Sequence, residues 1–281
     1  MKSLLIFFLF LSTYFTFGQT NADSLIIKNK IKVVKILNAK NKLVNEIRYD
    51  SLGKLIYRLD DDFAGYKNLK STLTKIYDVN GNNIISVMTH SNFNKPTVWR
   101  HKYDDRGNKI ATIDELNNNV FKQFYDEDNF MTMKLSYDEN NKIRRKSTFE
   151  KTDDGNKIIE KIGRDSIPSR INTTTLDNNG NTIKSESLDG SSINSLINYF
   201  YKNNRLVKIT YHGGYGRNYF YNSKNQLIRT SGYKEEQNVE ITSSNEEFIY
   251  NKKGLIEFYR ESRWSRDNSL SEYRYEYKYY E

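Results

Sequence analysis

The chain has 281 residues, 28% of them charged and 14% aromatic, and 44 Lys and Arg outnumber 35 Asp and Glu to give a formal charge of +9. It contains no Cys, which excludes thiolate nucleophiles, Cys-bound metals, disulfide staples and acylation at a Cys. The basic residues are interspersed with acidic ones and form no basic tail for nucleic acid, so the excess reads as solvated strand faces or as attraction to acidic polysaccharide or an anionic surface.

The opening MKSLLIFFLFLSTYFTFGQ carries Lys2, an apolar run from Leu4 to Phe17, and small residues at Thr16 and Gly18. It reads as a secretory signal peptide over 1–18 with Gln19 as the mature N-terminus. The run is short for a bilayer span, and no later apolar segment reaches that length. The expected product is exported, periplasmic or extracellular, without a membrane span. Residues 19–281 form one domain, with a possible irregularity near 164–170 around Pro168.

Ile31 and Val33 alternate with Lys32, so sheet is expected from there. A repeated octapeptide follows: YDSLGKLI from Tyr49, YDVNGNNI from Tyr77 and YDDRGNKI from Tyr103. Further good copies begin at Tyr137, Tyr221 and Tyr250, degenerate ones at Lys151, Leu176 and Tyr201, and a weak one at Tyr125. The interval from Tyr125 to Tyr137 is shorter than the others, so the middle of the array is irregular. In the first three copies, which keep Tyr-Asp and Gly together, the aromatic residue closes a strand and the Asp (Asp50, Asp78, Asp104) caps a turn through neighbouring N–H groups. The Gly (Gly53, Gly81, Gly107) takes the positive-φ place that follows a type I turn. Such tips predict a row of antiparallel hairpins with no helix apart from the signal peptide. Near the C-terminus, Tyr273, Tyr275 and Tyr277 share one face of a strand, with Glu272, Arg274, Glu276 and Lys278 on the other.

These motifs resemble the YD repeats of the Rhs and teneurin-like families, on YDSLGKLI, YDVNGNNI and YDDRGNKI and more loosely on YDENNKI, YNSKNQLI and YNKKGLI. The resemblance implies a β-sheet array like those that spiral into a shell around a cargo. The array here is shorter, with too few copies for a closed shell, so the expected fold is all-β: a long twisted or curled, solenoid-like sheet. A short exported chain whose signal ends in FGQ also resembles proteins of Bacteroidetes-type bacteria. In that setting the Asp-Ser-apolar triplets at Asp23, Asp50 and Asp165 match an O-glycosylation pattern, and match equally well by coincidence.

The residues give little catalytic signal. The three His, His90, His101 and His212, show no metal-ligand spacing. Asp60-Asp61-Asp62 fits no calcium loop, and His212-Gly213-Gly214-Tyr215-Gly216 lacks the Lys and helix of a phosphate loop and reads as a hairpin turn. Ser187–Ser192 (SLDGSS) lacks a nucleophile-elbow context. No cofactor is expected. Aromatics interleaved with cations point to Trp99, His101, Tyr103, Tyr273, Tyr275 and Tyr277 as candidate ligand-binding residues. The expected function is a non-enzymatic surface contacting protein or glycan at the cell envelope, its oligomeric state open. The alternatives are a polysaccharide hydrolase or lyase, a partner-neutralising immunity-like protein and an outer-membrane barrel. No nucleic-acid role is expected.

Overall fold

A computed structural model describes residues 24–61, 70–163, 167–236, 239–263 and 270–281. The signal peptide and its cut before Gln19, Asp23 and Asp62, and the triplet at Asp165 except Ile167, lie outside the described residues.

The repeat tip has the geometry its residues dictate. At 104–108 the Asp104 N–H donates to the Asn108 carbonyl (3.0 Å) and the Gly107 N–H to the Asp104 carbonyl (3.0 Å). The Asp104 carboxylate accepts from the N–H groups of Arg106 (3.1 Å) and Asn108 (2.7 Å). Gly107 sits at φ +82. This is a type I turn closed by a left-handed residue. Asp50 and Asp78 cap their turns in the same way, beside Gly53 at φ +78 and Gly81 at φ +85. Asn129, Asn141 and Asn225 take the same place in other tips at φ 63, 58 and 65, a conformation the short Asn side chain tolerates.

Between the tips run strands β1 (Ile31–Asn38), β2 (Leu43–Tyr49), β3 (Leu55–Asp60), β4 (Ser71–Tyr77), β5 (Asn83–His90), β6 (Thr97–Tyr103) and β7 (Lys109–Asp114). They continue as β8 (Asn119–Tyr125), β9 (Met131–Tyr137), β10 (Ile143–Lys151), β11 (Lys157–Gly163), β12 (Arg170–Leu176), β13 (Thr182–Asp189) and β14 (Ser192–Lys202). The last six are β15 (Arg205–Tyr211), β16 (Tyr215–Tyr221), β17 (Leu227–Glu236), β18 (Val239–Tyr250), β19 (Ile256–Arg263) and β20 (Leu270–Tyr279). The motif aromatics Tyr49, Tyr77, Tyr103, Tyr125, Tyr137, Tyr221 and Tyr250 each end a strand.

Every strand pairs antiparallel with its neighbours in sequence, and β1 pairs with β20 through Val34↔Tyr277 and Ile36↔Tyr275. The result is a closed 20-stranded barrel, and it corrects the expectation of an open solenoid-like array too short to close. Each copy supplies two strands, and closure removes both sheet edges at once. The sheet also runs unbroken past Pro168, since β11 and β12 pair from Ile162↔Arg170 to Lys157↔Thr175.

Because strand direction alternates, the tips at 50–54, 78–82, 104–108, 126–130, 152–156, 177–181, 222–226 and 251–255 all lie at one end, here the motif end. The tip at 138–142 lies at the opposite, loop end. This explains the short Tyr125–Tyr137 interval: β9 carries a motif turn at each of its ends.

The motif tyrosines clasp neighbouring hairpins. The Tyr77 hydroxyl donates to the Leu55 carbonyl (2.8 Å), Tyr103 to Asn83 (2.9 Å), Tyr125 to Lys109 (3.2 Å), Tyr221 to Leu206 (2.9 Å) and Tyr250 to Leu227 (2.7 Å). Across the seam Tyr280 donates to the Tyr49 carbonyl (2.6 Å). An aromatic residue with a polar handle thus packs the wall and closes a backbone hydrogen bond together.

A single helical turn at residues 24–28 precedes β1, which corrects the expectation of no helix beyond the signal peptide. Its Ile26 joins Ile31, Val34 and Leu255 in the buried core cluster, and Leu25, Ile36, Ile47, Tyr49, Tyr275 and Tyr277 pack around it. An apolar helical face is buried against the inner wall at the motif end, where β1 begins.

Candidate functional site

The register decides which side chains face the lumen. His101↔Thr112↔Phe121↔Ser136↔Arg145 form one row across β6 to β10. Phe121, Ser136 and Arg145 line a concavity of about 1010 Å³ that also takes in Lys134, Glu160, Ile162 and Arg170. That face is therefore the inner one. Following the pairs from Tyr275 through Ile36, Asn45, Asp60 and Ser71 leads to the same face of β4, which carries Lys75↔Ser86↔Trp99. All six candidate ligand-binding residues, Trp99, His101, Tyr103, Tyr273, Tyr275 and Tyr277, thus face the lumen. They form two groups, on β6 and on β20, separated by six strand steps or about 29 Å of wall.

The two groups sit in different surroundings. Tyr275 and Tyr277 pack under the helical turn, and burial pushes the Tyr275 phenol up to about 12. Tyr273 stacks on Tyr259 at 5.8 Å. Trp99, His101 and Tyr103 face an open part of the lumen, where side chains are half-buried. Barrels of this strand number leave a water-filled bore.

His101 is held on both ring nitrogens. Nε2 lies 3.2 Å from Ser86 Oγ and Nδ1 lies 3.0 Å from Thr112 Oγ1. The Asn83 amide is best satisfied with its nitrogen toward the carbonyls of Ile76 (3.2 Å) and Ile85 (2.8 Å) and its oxygen 2.8 Å from Ser86 Oγ. Ser86 then gives its proton to Asn83, and His101 donates from Nε2 while accepting from Thr112. This is the reverse of the proton arrangement in which a His activates a Ser. The inner-face acid nearest in register, Asp114, caps the next turn, accepting from the N–H of Leu116 (3.1 Å) and from Asn117 Nδ2 (2.8 Å). Burial, then Lys109 and Lys75, lower the His101 pKa to about 4.

The lumen wall from β4 to β10 is cationic. Lys75, Lys109, Lys134 and Arg145 stand on or beside this face, and no ion pair joins any of them to an acid among the described residues. Burial holds Lys75 below the ordinary lysine value; for Lys109 burial acts first, then repulsion from Lys75 and Lys134. Farther round, the charges are matched. Arg170 grips Asp189 through two bonds (2.6 and 3.1 Å), and Asn172 donates to Glu160 (2.8 Å). Arg217 donates to both Thr230 (3.0 Å) and Glu246 (2.8 Å), with Thr230 only 1% exposed.

Sequence reasoning missed the inner lysines. Lys75 stands two residues before Tyr77 and so shares its face, the one signal that could have placed it. The outer face is tied by ion pairs: Lys161–Glu150 (2.7 Å), Arg260–Glu272 (2.8 Å) and Arg274–Glu276 (2.7 Å). Among the described residues no cluster of His, Asp or Glu could hold a metal ion, and no helix is long and apolar enough to cross a membrane.

No family model and no curated protein matches this chain. Solved structures similar to it include a TcdB2-TccC3-Cdc42 complex, at 14% identity and TM-score 0.45, over 85% of this chain and 15% of that one. The Tc holotoxin pore of Photorhabdus luminescens overlaps at 13% identity and TM-score 0.44, over 82% of this chain and 13% of that one. A porin-like protein from Bacteroides uniformis overlaps at 9% identity and TM-score 0.38, over 89% of this chain and 97% of that one. The chain thus spans only a small part of the two toxin structures and nearly all of the porin-like one.

Proposed function

We propose that this chain is an exported, non-enzymatic binding module of YD-repeat type that takes its ligand, a glycan at the cell envelope, into the barrel lumen. The observation that carries this reading is the unequal treatment of charge on the two faces. On the outer face several cations are matched to acids, as in Lys161–Glu150, Arg260–Glu272 and Arg274–Glu276; inside, from β4 to β10, Lys75, Lys109, Lys134 and Arg145 stand beside aromatic rings and none of them is joined to an acid by an ion pair among the described residues. Unmatched charge in a half-buried position is costly and marks a place where a ligand completes the pairing. The ion-paired outer face also speaks against a lipid-facing barrel, which needs a continuous apolar band. The hydrogen-bond direction at Ser86 and His101 speaks against a nucleophilic hydrolase at that spot.

The test compares two variants on a glycan array. Ser136→Trp places a large ring in the lumen wall beside Phe121 and Arg145, and is expected to abolish the signal of the wild-type protein. Lys161→Ala, which cuts an outer ion pair, is expected to leave it unchanged. A wild-type protein that binds nothing on the array, or a ligand held undiminished by Ser136→Trp, refutes lumenal glycan binding.

A further inference from the structure

We propose that the lumen wall from β4 to β9 binds the carboxylates of an acidic glycan chain through Lys75, Lys109 and Lys134. This rests on the lumenal reading above and names the chemistry of the ligand.

The three lysines come from β4, β7 and β9. Lys75 shares a row with Ser86 and Trp99, whereas Lys109 pairs with Tyr103 four residues farther along, so these two backbones are three strand steps across and about 13 Å along, roughly 20 Å apart; Lys109 and Lys134 are two steps or about 10 Å apart. The three backbones are spread over five strand steps, about 24 Å of wall, while their long side chains bring the ammonium groups near enough to repel, an arrangement that suits a chain carrying charge at intervals. Between the lysines the same face presents Trp99, Tyr103 and Phe121. Flat apolar rings between cations match the two surfaces of a uronic acid residue, an apolar sugar face and a carboxylate edge.

The type of cation favours carboxylates spaced along a sugar chain. A lysine ammonium is a mobile point charge, whereas the rigid fork of arginine is the better match for phosphate oxygens in a nucleic-acid backbone. Arginines flank this wall: Arg58 on β3, one strand before Lys75, is paired with Asp60, and Arg145 lies one strand beyond Lys134. The neighbouring Tyr103 hydroxyl is already bonded to the Asn83 carbonyl (2.9 Å) and Lys109 Nζ lies over the ring, 6.0 Å from its centroid, so one cation and one aromatic surface stand together here. Burial and mutual repulsion hold Lys109 below the ordinary lysine value, and a bound carboxylate relieves both causes.

Titration calorimetry with hexagalacturonate, maltohexaose and a single-stranded DNA oligomer tests the proposal on the full mature chain. The expected result is saturable binding of hexagalacturonate, at least roughly tenfold tighter than the other two and weakened by added salt. Lys75→Gln/Lys109→Gln/Lys134→Gln is expected to lose about tenfold or more in affinity, while the outer-face variant Lys161→Gln/Lys184→Gln/Lys278→Gln keeps it. The inner triple variant removes like charges and should fold; Lys134→Gln alone provides the same comparison with a smaller loss. Absence of hexagalacturonate binding, indifference to the inner substitutions, or tighter binding of the DNA overturns the proposal. Equal binding of maltohexaose and hexagalacturonate, blocked by Ser136→Trp, removes the acidic ligand and leaves lumenal glycan binding standing.

Discussion

Replacing Gly107 by Val isolates the backbone cost of the repeat tip. The residue sits at φ +82, and a Cβ added there meets nothing within 4 Å. No side chain has to move, so the whole effect is conformational. A β-branched residue in the left-handed region costs about 2 kcal/mol, and the lost flexibility of the unfolded chain returns about 0.5–1. The net destabilisation is therefore about 1–1.5 kcal/mol, or a fall in Tm of roughly 2–5 °C for a domain of this size. Gly107→Asn is the control, because Asn129, Asn141 and Asn225 already occupy the equivalent place in sister tips. It should cost well under about 1 kcal/mol. Thermal unfolding followed by circular dichroism reads both variants side by side. A Val variant as stable as wild type, or an Asn variant as damaged as the Val one, refutes the turn assignment.

Tyr280→Phe removes the hydroxyl clasp to the Tyr49 carbonyl across the seam and should lower stability by about 1 kcal/mol in urea unfolding, with the barrel still closed. Arg217→Ala leaves Glu246 and the buried Thr230 without their cation and should cost about 3 kcal/mol by the same assay. Arg274→Ala on the outer face cuts an exposed pair and should cost less than about 1 kcal/mol. His101 gives a pH test. Its folded pKa of about 4 lies below the ordinary 6.5, so its contribution to stability is complete above pH 6.5 and is lost as pH falls toward 4. His101→Gln should flatten the fall in unfolding free energy over that window, and an NMR midpoint near 6.5 for the wild-type ring would contradict the burial that lowers it.

What could be read from the sequence and what could not divide along local and non-local physics. The geometry at Asp104 and Gly107 is set within five consecutive residues, so turn chemistry alone predicts it. The strand ends at Tyr77 and Tyr103 follow from the same signal. Closure does not, because the pairing of β1 with β20 depends on the accumulated twist of the strands between them, which no local motif records. The short helical turn escaped because its Leu25-Ile26-Ile27 run is too brief to show a period. The lysines escaped for a related reason. Lys75, Lys109 and Lys134 each resemble an ordinary solvated strand residue, and only the closed register tells inside from outside. Tyr273, Tyr275 and Tyr277 were legible as one face, but not their stacking and packing beside the helical turn.

The seam between β1 and β20 also governs the order of assembly. During synthesis every strand from β2 onward follows directly on the strand that is its first partner. β1 keeps its second edge bare until β20 has emerged, after the eighteen strands between them. The final pairing is therefore the step with the greatest loop-closure entropy, and until it occurs the molecule displays two unpaired edges with the same spacing and complementary pattern. Two half-made copies can satisfy each other's edges as well as one copy can satisfy its own. Refolding yield should thus fall steeply with protein concentration, and the joined double ring would be the characteristic by-product.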